Sequence, residues 1–96
     1  MAVRRSSEDI IYDMLKCAAN GRPTKTDIMY VNNLSYWQSR QYIEFGLRRG
    51  IITPAPDDPT GITRFALTNR GREFMAHYES LREILDGTAR TQSPLK

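Results

Sequence analysis

Apolar side chains recur early in the chain at Ile10, Ile11, Met14, Leu15 and Ala18, the spacing of one face of an α-helix. Ser6 or Ser7 precedes the stripe as an N-cap, Glu8 and Asp9 complement the helix dipole in the first turn, and Asn20-Gly21 ends the run. The pattern predicts a helix from Ser7 to Ala19. Pro23 then interrupts, and Thr24 or Thr26 can cap a second, short helix carrying Ile28, Met29 and Val31. Asn32-Asn33 is the turn after it, Ser35 is the next N-cap, and Tyr36 to Arg49 forms a third helix stopped by Gly50. Two helices joined by so short an Asn-rich turn are a helix-turn-helix.

After Gly50 the period changes. Ile51-Ile52-Thr53 is a β-rich triplet, and Pro54 to Gly61 is dense in turn residues. From Ile62 to Leu67, Ile62, Arg64 and Ala66 alternate with Thr63, Phe65 and Leu67. This is a two-stranded hairpin, and a hairpin directly after a helix-turn-helix is the wing of a winged-helix domain. A last helix starts at the cap Thr68 or Asn69 and runs to about Asp86. Phe74, Tyr78, Leu81 and Leu85 repeat along it as a short coiled-coil seam, with Met75 and Ile84 beside them. A helix that packs back on its own domain would show the same stripe, but three helices and a hairpin already close a winged-helix core, so position favours a seam that faces a second copy in a homodimer. The predicted fold is mainly α with a small β-hairpin. It divides into a basic N-terminus over 1–5, a winged helix-turn-helix over 6–67, a dimerisation helix over 68–86 and a loose tail over 87–96.

The second helix of a helix-turn-helix enters the major groove of double-stranded DNA, so it needs one buried and one polar face. In the third helix Leu34, Tyr42, Ile43, Gly46 and Leu47 lie on one side, and Trp37, Gln38, Gln41 and Arg48 on the other. Ser35, Tyr36 and Arg40 flank the N-terminal end, where base and phosphate contacts are usually made. Glutamine pairs with adenine and arginine with guanine, so Gln38, Gln41 and Arg40 are candidate readers. Thr24, Lys25 and Thr26 open the preceding helix as a candidate phosphate contact, and equally as simple caps. In the wing, Thr60, Thr63 and Arg64 suit backbone contact, while Asp57 and Asp58 at the tip repel it. Arg4 and Arg5 make a short basic arm or a solvated pair.

Charge sharpens this picture. The 96 residues carry a formal net charge of +3. Residues 1–50 hold eight Lys/Arg against five Asp/Glu, and residues 51–96 six against six, so the surplus lies with the helix-turn-helix. The single cysteine, Cys17, excludes an internal disulfide and a cysteine metal cluster, and suits a reducing cytoplasm. No apolar run is long enough to cross a bilayer or to serve as a signal peptide. His77 is the one histidine and has no metal-ligand companion, Cys17 has no base beside it, and no glycine-rich phosphate loop is present. No enzyme, cofactor, metal or small-molecule substrate is indicated. The rival is a winged-helix module that binds another protein through Trp37. RNA ranks lower, because the A-form major groove is too narrow for a helix.

The segments Ile10-Ile11-Tyr12-Asp13-Met14-Leu15, Thr24-Lys25-Thr26-Asp27-Ile28-Met29-Tyr30, Asn33-Leu34-Ser35-Tyr36 and Thr68-Asn69-Arg70-Gly71-Arg72-Glu73-Phe74 resemble the archaeal 10a-type winged-helix DNA-binding proteins. The resemblance runs from about Ser6 to Leu85. It implies an archaeal cytoplasmic dimer held by an antiparallel coiled coil of the last helices, with a chromatin-associated or regulatory role. Three positions depart from that family's habit. Ser39 and Gly46 stand where leucine is common, which is expected to thin the packing behind the third helix, and Trp37 stands where a polar residue is commoner.

Overall fold

The computed structural model describes residues 6–55 and 59–86. The expectations for the N-terminal arm with Arg4 and Arg5, for Asp57 and Asp58, and for the tail over 87–96 concern residues outside this range. The elements are α1 (Ser7–Ala19), α2 (Lys25–Val31), α3 (Tyr36–Arg49), β1 (Ile52–Pro54), β2 (Phe65–Leu67) and α4 (Asn69–Asp86). This is a winged helix-turn-helix followed by a long C-terminal helix.

Three helices begin with the same device. Ser6, Thr24 and Ser35 each accept the backbone N–H three residues on, and Asp9, Asp27 and Gln38 in turn accept the cap's own N–H. Such reciprocal boxes satisfy amides that no intrahelical carbonyl can reach. Thr24 rather than Thr26 caps α2, because only Thr24 has the extended conformation of an N-cap. Asn33 makes the tight turn between α2 and α3 with φ 56°, a left-handed conformation that asparagine tolerates better than most residues. Buried Asn32 supports it by donating from Nδ2 to the Ile28 carbonyl at 3.0 Å.

The core gathers Ile11, Met14, Leu15 and Ala18 of α1, Ile28 of α2, Ile43 of α3, and Ile51, Ile52 and Phe65 of the hairpin. Met14, Leu15, Ile28 and Ile52 are wholly buried, each contributing about 1.5–3 kcal/mol relative to an exposed side chain. The strands pair antiparallel, Ile52 with Leu67, Thr53 with Ala66 and Pro54 with Phe65.

Several expectations need correcting. The second strand is Phe65–Leu67 rather than Ile62–Leu67. Its outer edge is taken by the chain before α2: Arg64 bridges Thr24, and the Phe65 N–H donates to the Pro23 carbonyl at 2.9 Å. Val31, expected on the apolar face of α2, is exposed. Leu47 is partly exposed as well, and Phe45 packs against the core from α3 instead. Nor is the core closed without the last helix. Phe74 and Met75 pack on it, and Tyr78 stacks on Tyr12 with ring centroids 4.3 Å apart. The upper half of the expected free seam is therefore turned to α1. Leu81, Ile84 and Leu85 remain exposed.

Packing behind α3 is not thinned at Ser39 and Gly46. Ser39 is fully buried, and its hydroxyl donates to the Tyr36 carbonyl at 2.8 Å. A β-carbon on Gly46 would lie 2.9 Å from Ile52 Cγ1 and 3.2 Å from Met14 Cε. Neighbouring side chains already fill the space a leucine would need.

Candidate nucleic-acid interface

The outward face of α3 is where the sequence reading placed it. Tyr36, Trp37, Gln38, Arg40, Gln41 and Arg48 are exposed, while Ile43 and Ser39 are buried on the opposite side. Trp37 keeps 67% of its surface exposed and Tyr36 49%. The two rings meet edge to face at 5.3 Å between centroids. Lys25 Nζ sits 5.8 Å from the Tyr36 ring, and the Arg40 guanidinium 5.8 Å from the Trp37 ring. These are separations at which a cation is drawn to an aromatic face. A continuous series of Lys25, Tyr36, Trp37 and Arg40 thus joins the start of α2 to the first turns of α3. The Trp37–Arg40 spacing of three was visible in the sequence. The Lys25–Tyr36 contact crosses between helices, and only the turn at Asn33 creates it.

Not every expected reader is equally available. The Gln38 carbonyl oxygen accepts the Ser35 N–H at 3.0 Å, and the Ser35 hydroxyl accepts the Gln38 N–H at 3.1 Å. Both side chains are therefore held at the helix start. Thr24 is likewise engaged with Asp27, whose carboxyl the Thr24 N–H holds below the usual carboxylate range. Thr26 is exposed in the first turn of α2 beside Lys25. Arg40 pairs with Glu44 at 3.3 Å on the same exposed face, and that hydrogen bond raises its pKa further. Gln41 is exposed one turn beyond Trp37.

At the wing, Arg64 is partly exposed and already engaged. Its Nη1 donates to the Arg22 carbonyl at 2.9 Å, which ties the hairpin to the loop before α2. Thr24, Lys25, Thr26, Ile62, Thr63 and Phe65 line a shallow concavity of about 410 Å³ between that loop and the wing. Thr60 and Thr63 are exposed nearby.

The remaining chemistry-bearing residues stay apart from this face. Burial pushes the half-buried Cys17 thiol above its ordinary pKa, the opposite of nucleophile activation. His77 is exposed on α4. Among the described residues no group of three or more His, Cys, Asp or Glu could hold a metal ion, and no helix is long and apolar enough to cross a membrane. On α4, Phe74, Tyr78, Leu81 and Leu85 line an apolar concavity of about 400 Å³ beside Ser6, Glu8 and Asp9.

Comparison with known proteins agrees with this architecture. A winged helix-turn-helix family model matches residues 4–86. An uncharacterized protein of Methanocaldococcus jannaschii is 29% identical over 83 residues, covering 86% of this chain and 79% of that protein. Among solved structures, Sso10a-2, a DNA-binding protein from Sulfolobus solfataricus, is similar with a TM-score of 0.73 at 17% identity, covering 86% of this chain and 84% of that one. The S. aureus MepR–DNA complex is similar with a TM-score of 0.67 at 15% identity, covering 84% of this chain and 67% of that one. A MarR-like transcriptional regulator from Thermotoga maritima gives 0.59 at 20% identity, with 90% of this chain and 64% of that one covered. At these identities the structural likeness is one of fold.

Proposed function

Because the chain belongs to the winged helix-turn-helix family, we propose that it binds double-stranded DNA as a homodimer, as a transcriptional regulator or chromatin-associated protein of the cytoplasm, with α3 in the major groove. The observation that carries this reading is the outward face of α3. It is the second helix of the helix-turn-helix, it is backed by a packed core, and it presents Trp37, Arg40, Gln41 and Arg48 to solvent. A helix of about 10–12 Å diameter matches a groove about 12 Å wide. Residues 6–67 form the groove-reading domain in this account, and 68–86 the dimerisation helix. The likeness to Sso10a-2, itself a DNA-binding protein, is consistent with it. The role is binding rather than catalysis.

Each candidate contact has a distinct task. Gln41 takes a base edge, and a bidentate pair is worth about 1–3 kcal/mol of discrimination. Arg40, Lys25 and Thr26 take phosphates or a base edge at the helix ends. Ser35, Thr24 and Gln38 set the entry geometry through their caps, with Gln38 retaining its amide N–H for the groove, and Tyr36 does so through its ring between Lys25 and Trp37. Arg64 acts through the wing root rather than at its tip. Across the dimer, Leu81 and Leu85 meet the second copy, with Phe74 and Tyr78 as the inner wall of the seam.

The test is binding of purified protein to a labelled mixed-sequence duplex across a salt series, with Arg40→Ala and Gln41→Ala alongside. Phosphate neutralisation releases counterions, so affinity is expected to fall steeply with salt. Both variants are expected to bind about tenfold more weakly, and Arg40→Ala also to lessen the salt slope. A wild-type chain that does not bind at low salt refutes the proposal. The second reading, docking of another protein, is favoured by the exposed aromatic and aliphatic surface of Tyr30, Val31, Tyr36 and Trp37. It predicts an interaction with little salt dependence.

A further inference from the structure

We infer that Trp37 reads the C5-methyl group of thymine, so that this chain prefers A·T pairs at the centre of its contact. The inference rests on the DNA-binding reading above and names what that site recognises. Trp37 has 67% of its surface exposed on the second residue of α3, the turn of a recognition helix whose side chains meet base edges. Guanine, adenine and cytosine line the major groove with polar N7, O6, N6 and N4 groups, and only thymine adds an apolar one. An indole ring laid on a polar edge strips those groups of water without replacing their hydrogen bonds. Laid on a methyl group, it strips nothing. The indole N–H is a donor only, and the thymine O4 beside the methyl is an acceptor.

The surroundings complete the recognition. Gln41 lies four residues on, exposed on the same face, and residues so spaced are neighbours on a helix surface. Glutamine pairs with the N6 and N7 edge of adenine, so the two side chains address the two halves of an A·T step. Arg40 and Lys25 bracket the Trp37–Tyr36 pair at 5.8 Å from each ring. The apolar patch is therefore flanked by two cations, Lys25 and Arg40, the latter also paired with Glu44 at 3.3 Å, and Arg40 would exchange that partner for a phosphate. Tyr36 meets the indole edge to face on one side.

Trp37 is the only tryptophan in the chain, so its emission reports this position alone. The experiment compares a duplex of alternating dA and dT, about two helical turns long, with the same duplex carrying deoxyuridine for thymidine. The substitution removes the methyl groups and keeps every hydrogen-bonding group. Wild-type protein is expected to bind the uracil duplex about fourfold more weakly per methyl contacted, the equivalent of ~0.8 kcal/mol for one buried carbon at tenfold per 1.4 kcal/mol. Tryptophan emission is expected to change on saturation. Trp37→Gln, which replaces an exposed side chain and leaves the core untouched, is expected to bind both duplexes alike. Equal wild-type affinity for the two duplexes overturns the methyl reading and leaves DNA binding standing. So does a Trp37→Gln variant that keeps the preference, or emission unchanged in a saturated complex. Absence of wild-type binding to either duplex at low salt overturns the DNA-binding reading, and this inference with it.

Discussion

Gly71 and Gly46 show how differently two glycines within helices can be constrained. A β-carbon on Gly71 would stand 2.3 Å from the Ile51 carbonyl oxygen and 2.6 Å from Leu67 Cδ1. The first is backbone and cannot rotate away. On Gly46 the same atom would meet only side chains, at 2.9 Å or more. Overpacking costs about 1–3 kcal/mol, against roughly 1 kcal/mol of helix propensity gained by alanine. Gly71→Ala is therefore expected to lose about 2 kcal/mol or more in urea unfolding. Gly46→Ala should lie within about 1 kcal/mol of wild type, because Met14 and Ile52 can yield. Equal losses would mean that Ile52 is as fixed as the backbone. The motif Thr68-Asn69-Arg70-Gly71 was legible in the sequence, but its cause was not. Helix α4 starts hard against the end of α3, where the Thr68 hydroxyl donates to the Gly50 carbonyl at 2.6 Å and accepts the Gly71 N–H at 3.0 Å.

Between elements, the contact of α1 with α4 depends on protonation. Tyr12 donates to Glu79 at 2.6 Å, and Tyr78 donates to Asp9. The Glu79 hydrogen bond and burial push Tyr12 up to about 12, while burial and the Asp9 hydrogen bond push Tyr78 up to about 12. Tyr78, with the Ser6 N–H, holds the Asp9 carboxyl below the usual carboxylate range. A tyrosine whose pKa rises on folding stabilises the fold fully below its unfolded value, and that contribution is lost as pH climbs through the folded value. The melting temperature is thus expected to fall between pH 10 and about 12. The variant Tyr12→Phe with Tyr78→Phe should melt lower at neutral pH and show a flatter alkaline limb. Asp9 has the opposite sign. Its contribution is present above the ordinary carboxylate range and disappears as acid protonates the folded form. A double variant with an unchanged alkaline limb would assign the loss to other groups.

At the scale of the whole molecule, the last helix is covered along one half of its length and bare along the other. At about 1.5 Å per residue its 18 residues span roughly 27 Å, more than the domain can cover. Phe74, Met75 and Tyr78 are used within the chain, whereas Leu81 is 52%, Ile84 76% and Leu85 65% exposed. In the proposed homodimer these three residues face the second copy. Leu81→Glu with Leu85→Glu is expected to turn a dimer into a folded monomer by sedimentation equilibrium, since neither side chain supports the core. DNA affinity should fall with it, because a dimer engages two half-sites about 34–36 Å apart. A wild-type chain that sediments as a monomer would remove the dimer from the account.

The sequence alone determined the four helices, the Ser35 cap, the presence of a hairpin and the outward face of α3, because these follow from periodicity and short-range hydrogen bonding that neighbouring residues carry themselves. Ser35, Gln41 and Gly50 needed no tertiary context to be placed, whereas the exposure of Trp37, which could as well have tucked against the neighbouring helix or the wing, was decided by the fold. The tertiary structure decided which apolar residues had partners and which polar groups were already engaged. Tyr78 meets Tyr12 across 66 positions, Arg64 turns to Arg22 across 42, and Lys25 meets Tyr36 only after the Asn33 turn. A stripe at helical spacing states that a face will be covered, not by what. That choice is made by packing between segments distant in sequence, where burial and hydrogen-bond satisfaction outweigh the local pattern.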